Sequence, residues 1–320
     1  MVNIINDRKI WNESILQCDN TNPYQLFEWG EYKKNFNWKV IRLKINHNGR
    51  ICFVQMTYKI KFNFFVGWII GNIVGDLVAF NKELIFSFIK SQFNIKNIYI
   101  RANFSDKNTT QNSFDLYCNK WKKTQKRIDS EYTFLQHLDK PEEMLTSFSK
   151  NFRKNVKRGL VQNKDIELKR LLDVDVNLIA KVFQDFSNVK EKLSLPSLNE
   201  INEIKKQLGK YIYIGYSIID NEIVAIRAFL FFKDKAIDFW AAASFKARDN
   251  YSSYALLYSL LQKSSSLGLN NYDLSGIDPV QNQGVYNFKK GLRAELIQKT
   301  GEWEMTNSKL LSYLINKVYL

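Results

Sequence analysis

The chain has 320 residues, 45% of them apolar and 25% charged, with 23 Phe and 16 Tyr. That composition excludes disordered and collagen-like chains, and the length fits two domains of roughly 150 residues with aromatic-rich cores. Lys and Arg number 47 against 32 Asp and Glu, a net charge of +15; the excess either serves solubility or suits nucleic acid, nucleotide phosphates or an acidic lipid surface.

Cys18, Cys52 and Cys118 are far apart, and His47 and His137 are isolated. No disulfide framework and no metal site is predicted, because zinc needs clustered thiolates and imidazoles. Met1 to Gln17 is charged throughout and lacks the apolar core of a signal peptide. The most apolar stretch, Phe62 to Phe80, is interrupted by Asn63, Gly67, Gly71, Asn72, Gly75 and Asp76, so it reads as strands and turns rather than a membrane span. A cytoplasmic chain is expected.

In chain order, Tyr24 to Phe36 reads as a helix. Val40–Asn46 and Ile51–Ile60 alternate as strands around Asn46-His-Asn-Gly49, a good hairpin turn. Phe64–Ile73 is a further strand, Glu83–Phe93 a helix, and Asn97–Phe104 and Ser130–Leu138 strands. The second half opens with a helix from Pro141 to about Leu160. There follow a strand at Asp165–Leu171, helices at Val174–Lys190 and Leu198–Leu208, and three strands at Tyr211–Ile219, Ile223–Phe232 and Ala236–Ala243. Ser253–Leu267 is a helix stopped by Gly268. A strand at Asn271–Leu274, a short helix at Val285–Lys290, a strand at Leu296–Glu304 and a terminal amphipathic helix complete the chain. The expected division is 1–139, 140–306 and a terminal helix over 307–320. Both halves read as helix, three antiparallel strands, helix, strand. This suggests a duplicated α/β unit, and the second half resembles the acyltransferase fold of the GNAT superfamily in element order.

The most informative local pattern is Met144 to Val161. At 100° per residue, Leu145, Phe148, Phe152, Val156 and Leu160 form an apolar stripe, while Lys150, Arg153, Lys154, Lys157 and Arg158 form the opposite face with no acidic residue among them. The face is either simply solvated or a contact for phosphate or an RNA backbone; the wide stripe argues against a membrane-surface helix.

Several chemistries have no signature here. There is no G-x-S-x-G elbow and no phosphate-binding G-x-x-x-x-G-K-[ST] loop, and two isolated histidines make a nucleophilic triad and a covalent intermediate unexpected. The loop before the central helix, Lys246 to Tyr254, has no glycine. Arg248, Tyr251 and Ser253 stand where an acetyl-CoA enzyme would cradle pyrophosphate, so acyl-CoA is disfavoured as donor.

Four segments in register resemble the FemAB (FemABX) family of aminoacyl-tRNA-dependent peptidyltransferases. Tyr24-Gln-Leu-Phe-Glu-Trp29-Gly-Glu-Tyr-Lys33 is similar to the family's Q-x-x-x-W-x-x-x-K, and Met144 to Asp165 to its basic helix. Asn271-Tyr-Asp-Leu-Ser-Gly276 is similar to its YDFxG strand, and Gly284-Val-Tyr-Asn-Phe-Lys289-Lys-Gly291 to its G-x-x-x-F-K-x-x-F. The resemblance implies an α/β (α+β) fold of two GNAT-like subdomains in tandem, with the C-terminal helix packing back on the first and no coiled-coil arm. It implies transfer of an aminoacyl group from aminoacyl-tRNA to an amine of a cell-envelope precursor, nucleotide- or lipid-linked, at the inner face of the membrane and without a cofactor. The chain reads Ile69-Ile-Gly-Asn-Ile-Val-Gly-Asp76 where the family has P-R-G-P-x-x-D, and the family's arginine and tyrosine have no counterpart around Leu195 to Asn199. A surface-polysaccharide amino sugar therefore fits as acceptor beside the lipid-linked muropeptide of peptidoglycan.

By that resemblance, Lys33 contacts acceptor phosphate and Lys289 steadies the tetrahedral intermediate. Asp76 is a candidate proton acceptor, against its reading as a turn carboxylate capping a backbone amide. Trp240 and Tyr272, at strand ends, are either core or an aromatic wall for a sugar or nucleobase. The competing readings are a CoA-dependent N-acyltransferase acting on an amino sugar, and a non-catalytic RNA-binding module. The amino acid, the acceptor and the oligomeric state are not legible in the sequence.

Overall fold

Asn48 and Gly49 both take positive φ, 52° and 78°, as a two-residue hairpin requires. The turn sets the register of Lys39–His47 against Arg50–Lys61, antiparallel from Lys39↔Tyr58 to His47↔Arg50. The computed structural model describes residues 1–138, 140, 142–187 and 196–318. The chain divides into two compact units, Met1–Glu131 with Ile297–Leu320, and Tyr132–Leu296. Compared with the expected division, the second unit begins before residue 140, and the strand Glu295–Thr306 runs into the first unit together with the C-terminal helix.

In the first unit, Val2–Ile4, Lys39–His47, Arg50–Lys61 and Phe64–Gly71 pair antiparallel in that order. The helix Lys82–Phe93 then crosses to Asn97–Lys107, which lies parallel to Phe64–Gly71 over eight residue pairs, Phe64↔Asn97 to Gly71↔Phe104. Glu295–Thr306 pairs antiparallel with Asn97–Lys107. One face holds the main core, with Phe65, Ile69, Phe80, Ile85, Ile98 and Trp121 fully or almost fully buried. On the other face, Leu311 and Ile315 of the helix Lys309–Val318 pack against Tyr99, Phe64 and Val66. Glu304 fastens that helix by accepting hydrogen bonds from Tyr99 Oη at 2.7 Å, Ser312 Oγ at 2.8 Å and Asn316 Nδ2 at 3.0 Å.

The second unit repeats the plan. Asp165–Arg170, Ile212–Ile219, Glu222–Phe232 and Lys235–Ala243 pair antiparallel. The helix Ser252–Ser266 crosses to Asn271–Gly276, parallel to Lys235–Ala243, and Tyr132–His137 pairs antiparallel with Asn271–Gly276. The core gathers Phe148, Phe152, Val156, Phe229, Leu257, Leu260, Tyr272 and Leu292. This is the tandem acyltransferase architecture expected from the sequence. Among the described residues no helix is long and apolar enough to cross a membrane.

Three local expectations are corrected. The helix expected from Pro141 to Leu160 is two helices, Met144–Ser147 and Lys150–Gln162. Phe148 is extended between them, and the Ser149 hydroxyl accepts from the Phe152 amide, which starts a new helix rather than continuing the old one. Leu160 is exposed rather than part of the apolar stripe; Gly159 beside it is buried instead. A Cβ at Gly159 would stand 2.6 Å from the Tyr251 carbonyl oxygen, so this position sets how closely two helices approach. Helices Arg8–Leu16, Thr110–Cys118 and Phe245–Asp249 were not expected; each is short and begins at an Asp, Thr or Ser cap rather than with an apolar run. Pro141 and residues 188–195, which held the expected helix start and the end of the Val174–Lys190 helix, lie outside the described residues.

The first unit carries a fully buried ion pair. Arg101 Nε donates to Glu302 Oε2 at 2.7 Å, and Glu302 Oε1 accepts the amides of Ile128 and Asp129 at 2.9 and 2.8 Å. Removing one partner strands the other charge. Arg101→Met should lower the unfolding free energy by about 3–5 kcal/mol in urea titration, whereas Lys9→Met, from an exposed 4.0 Å pair with Glu13, should cause no measurable loss. Equal losses would contradict the assignment of this pair as structural.

Candidate active site

The second unit departs from the first where its parallel strands meet. Lys235–Ala243 and Asn271–Gly276 pair over three positions, Lys235↔Asn271 to Ile237↔Asp273, and then pairing stops. Two bulges lie at that point. One is in Lys235–Ala243, where Phe239 is passed over between Asp238 and Trp240; the other lies between Asp273 and Gly276. The Tyr-Asp-Leu-Ser-Gly sequence makes the second bulge. Asp273 Oδ1 accepts the Ser275 amide at 2.8 Å and the Thr133 hydroxyl, and Ser275 turns to φ +60°. The bulge turns carbonyl oxygens out of the ladder. Lys289, on the helix Gln283–Lys290 and 6% exposed, donates from Nζ to Gly276 O at 2.9 Å, with Ser275 O at 3.5 Å.

Asp238 holds the other side of the bulge. Its carboxylate takes a bidentate pair from Arg227, Nε at 2.9 Å and Nη2 at 2.6 Å, and a hydrogen bond from Tyr272 Oη at 3.1 Å; its backbone oxygen accepts from Ser275 Oγ at 2.5 Å. Burial opposes the Arg227 charge, but the Asp238 carboxylate and the Tyr272 hydroxyl together outweigh it and raise the guanidinium pKa. Burial first, then the Asp238 charge, push the Tyr272 hydroxyl well above its ordinary value, so it stays a neutral donor. The Arg227 guanidinium also lies 5.6 Å from the centre of the Phe288 ring, next to Lys289. The sequence reading missed Arg227 and Asp238. The available signal was one ionisable residue of opposite sign inside each of two adjacent apolar strands, Ile223-Val-Ala-Ile-Arg227-Ala-Phe-Leu and Ala236-Ile-Asp238-Phe-Trp.

Of the expected site residues in this unit, Tyr272 and Lys289 therefore meet at one bulge. Tyr272 is fully buried rather than facing a cleft. Trp240 is half-buried, edge-on to Phe183 at 5.7 Å and tilted against Phe239 at 4.9 Å. On the basic helix, Arg153 Nη1 donates to Thr146 O at 3.0 Å and Arg158 Nη1 to Tyr251 Oη at 3.1 Å. Lys150, Lys154 and Lys157 are exposed, and none pairs with a carboxylate among the described residues.

At the start of the helix Ser252–Ser266, where a CoA enzyme receives pyrophosphate, no side chain caps the amides. Tyr251 occupies its cap position at φ +54°, and buried Asn163 donates to Asn250 O at 2.7 Å while accepting from the hydroxyls of Ser252 and Ser217.

Lys33 and Asp76 belong to the first unit. Gln25 explains the sequence motif around Lys33. Fully buried, it donates to Ile70 O at 2.8 Å and accepts the Gln55 amide at 2.6 Å, fixing the entry to the helix Phe27–Lys34 against two strands. Lys33 Nζ then lies 5.1 and 4.8 Å from the ring centres of Trp29 and Tyr32. Asp76 caps the turn Leu77–Ala79 through the Val78 amide at 2.9 Å and pairs with Arg50 at 3.3 Å, the geometry of a turn carboxylate.

No curated protein sequence matches the chain. Among solved structures, FemX superposes with a TM-score of 0.81 at 16% identity, covering 99% of this chain and 100% of that one. L-PGS from Bacillus licheniformis superposes at 0.60 with 13% identity, over 98% and 96% of the two chains. A tandem GNAT protein from the clavulanic acid biosynthesis pathway superposes at 0.58 with 6% identity, over 96% and 99%. At these identities the likeness is one of fold. The sequence model of the FemAB family matches residues 196–319, which hold the bulge, Asp238 and Lys289. Together these matches indicate an acyl- or aminoacyl-transferase. The segment 196–319 matches the FemAB family, and it sits in a chain whose whole length follows the tandem acyltransferase fold.

Proposed function

We propose that this protein moves an aminoacyl group from aminoacyl-tRNA to an amine of a cell-envelope precursor, either a peptidoglycan muropeptide or a surface-polysaccharide amino sugar. The observation that carries the reading is the buried Lys289 ammonium, held at the bulge carbonyls beside the Arg227–Asp238 pair. An aminoacyl ester arrives activated, so no enzyme nucleophile is needed. The acceptor nitrogen adds to the ester carbonyl, the C–N bond forms, and the carbonyl oxygen becomes an oxyanion. A fixed cation in a water-poor site stabilises that charge without reorganising. Collapse breaks the ester C–O bond, and the ribose oxygen leaves as a hydroxyl. The amine's proton passes through water to the leaving ribose oxygen. The start of the helix Ser252–Ser266, with Tyr251 at its cap and no glycine in the preceding loop to let a pyrophosphate approach the amides, favours this donor over acyl-CoA. Lys150, Lys154 and Lys157 are the proposed contacts for tRNA phosphates, with Arg153 and Arg158 bracing the helix that carries them.

Lys289→Met should abolish most transfer of labelled amino acid from charged tRNA, with unchanged circular dichroism; turnover at the wild-type rate would refute the role of Lys289. Lys154→Glu with Lys157→Glu should weaken tRNA binding at least tenfold at low salt and flatten the slope of log affinity against log salt. Unchanged affinity would leave the helix as a solvated face.

A further inference from the structure

Ser275 stands where glycine would be less strained. Its φ of +60° lies in the left-handed region, which residues with a side chain seldom enter. Glycine would meet the backbone requirement of the bulge without that strain. What serine adds is a hydroxyl, and its Oγ donates to Asp238 O at 2.5 Å. A strained residue that persists at a candidate active site calls for an account of what its side chain does there.

The bond has a particular place in the sheet. Parallel pairing of Lys235–Ala243 with Asn271–Gly276 ends at Ile237↔Asp273. Asp238 is the next residue on one strand, and Ser275 lies two residues on along the other. The Ser275 hydroxyl therefore bridges the two strands just past the point where their ladder stops. Its partner is well anchored. Arg227 Nε and Nη2 hold the Asp238 carboxylate at 2.9 and 2.6 Å, and Tyr272 Oη holds it at 3.1 Å. On the far side, the conformation of Ser275 directs the bulge carbonyls. Gly276 O accepts from Lys289 Nζ at 2.9 Å, while Ser275 O lies 3.5 Å from that ammonium and 2.9 Å from Thr133 Oγ1. Turning Ser275 to an ordinary φ would swing these oxygens away from the ammonium. A fixed cation favours a developing oxyanion only while its position holds, and a shift of about 1 Å can slow a reaction on the order of a hundredfold.

We propose that Ser275 is a positioning residue: its hydroxyl, anchored on Asp238, holds the strained bulge whose carbonyls aim the Lys289 ammonium. This rests on the transfer reading given above. Ser275→Gly and Ser275→Ala both remove the hydroxyl, but glycine relaxes the backbone and alanine does not. Ser275→Gly should therefore be the more stable of the two in urea titration. Both should lower kcat for transfer from charged tRNA at least tenfold and change KM for either substrate less than twofold. A second readout needs no turnover: trace labelling by acetic anhydride, with Lys289 measured by peptide mass spectrometry against exposed Lys154 in the same sample. Lys289 should label at least fivefold faster in both variants than in the wild type. Activity that follows stability across the two variants, or wild-type labelling of Lys289 in both, would overturn the proposal. Faster labelling with undiminished turnover would support the hold on the ammonium and sink the role of Lys289 in transfer. Slower turnover with unchanged labelling would sink the positioning alone.

Discussion

The Asp238 carboxylate must be satisfied where little water reaches it, at 8% side-chain exposure, and much of the second unit is arranged around that requirement. Arg227 supplies two hydrogen bonds from the neighbouring strand and Tyr272 a third from the strand on the other side. Those three residues tie together the strands at the point where parallel pairing fails. A buried pair of this kind does little for net stability compared with apolar packing, yet removing one member is costly because the other charge is left alone. Its geometric consequence is the useful one. The strands are held apart, the Asp273–Gly276 bulge forms between them, and its carbonyls hold an ammonium in the interior.

Both units follow one topology but diverge at the corresponding place. In the first, Phe64–Gly71 stays paired to Asn97–Lys107 along its whole length. No ionisable pair splits these two strands; the charged residue within the paired stretch, Arg101, turns instead to Glu302, which also accepts the Ile128 amide. The first unit's open space is therefore on the sheet face beneath the C-terminal helix, between Val66, Trp68 and Leu311. The second unit's special place is within its sheet and polar. A duplicated plan has been given two different interiors by where charge is buried.

Much of this was legible in the sequence. Alternation and the Asn-Gly turn gave most strands to within two residues, and the four spaced motifs carried the family resemblance. Two of those motifs turn out to be structural: Gln25 satisfies strand edges, and Asp273 with Ser275 makes a bulge. They fix the neighbourhoods of Lys33 and Lys289 without acting themselves. Long-range pairing was not legible. Nothing local says that Arg227 meets Asp238, that Tyr272 points inward, or that Glu304 takes hydrogen bonds from the terminal helix. The break at Phe148-Ser149 was missed because the apolar spacing runs straight through it, and a capping serine outweighs periodicity there. The space beneath the C-terminal helix was hidden because its floor and its wall are more than 200 residues apart in the chain.

The account stands on an activated ester, rather than a thioester of CoA, being the group presented at Lys289. Single-turnover transfer to an amine-bearing envelope precursor, with the donor either aminoacyl-tRNA or acetyl-CoA at matched concentration, tests this most directly. The label should pass from tRNA to the acceptor nitrogen and not from acetyl-CoA. Acetyl transfer at a comparable or higher rate would contradict the account.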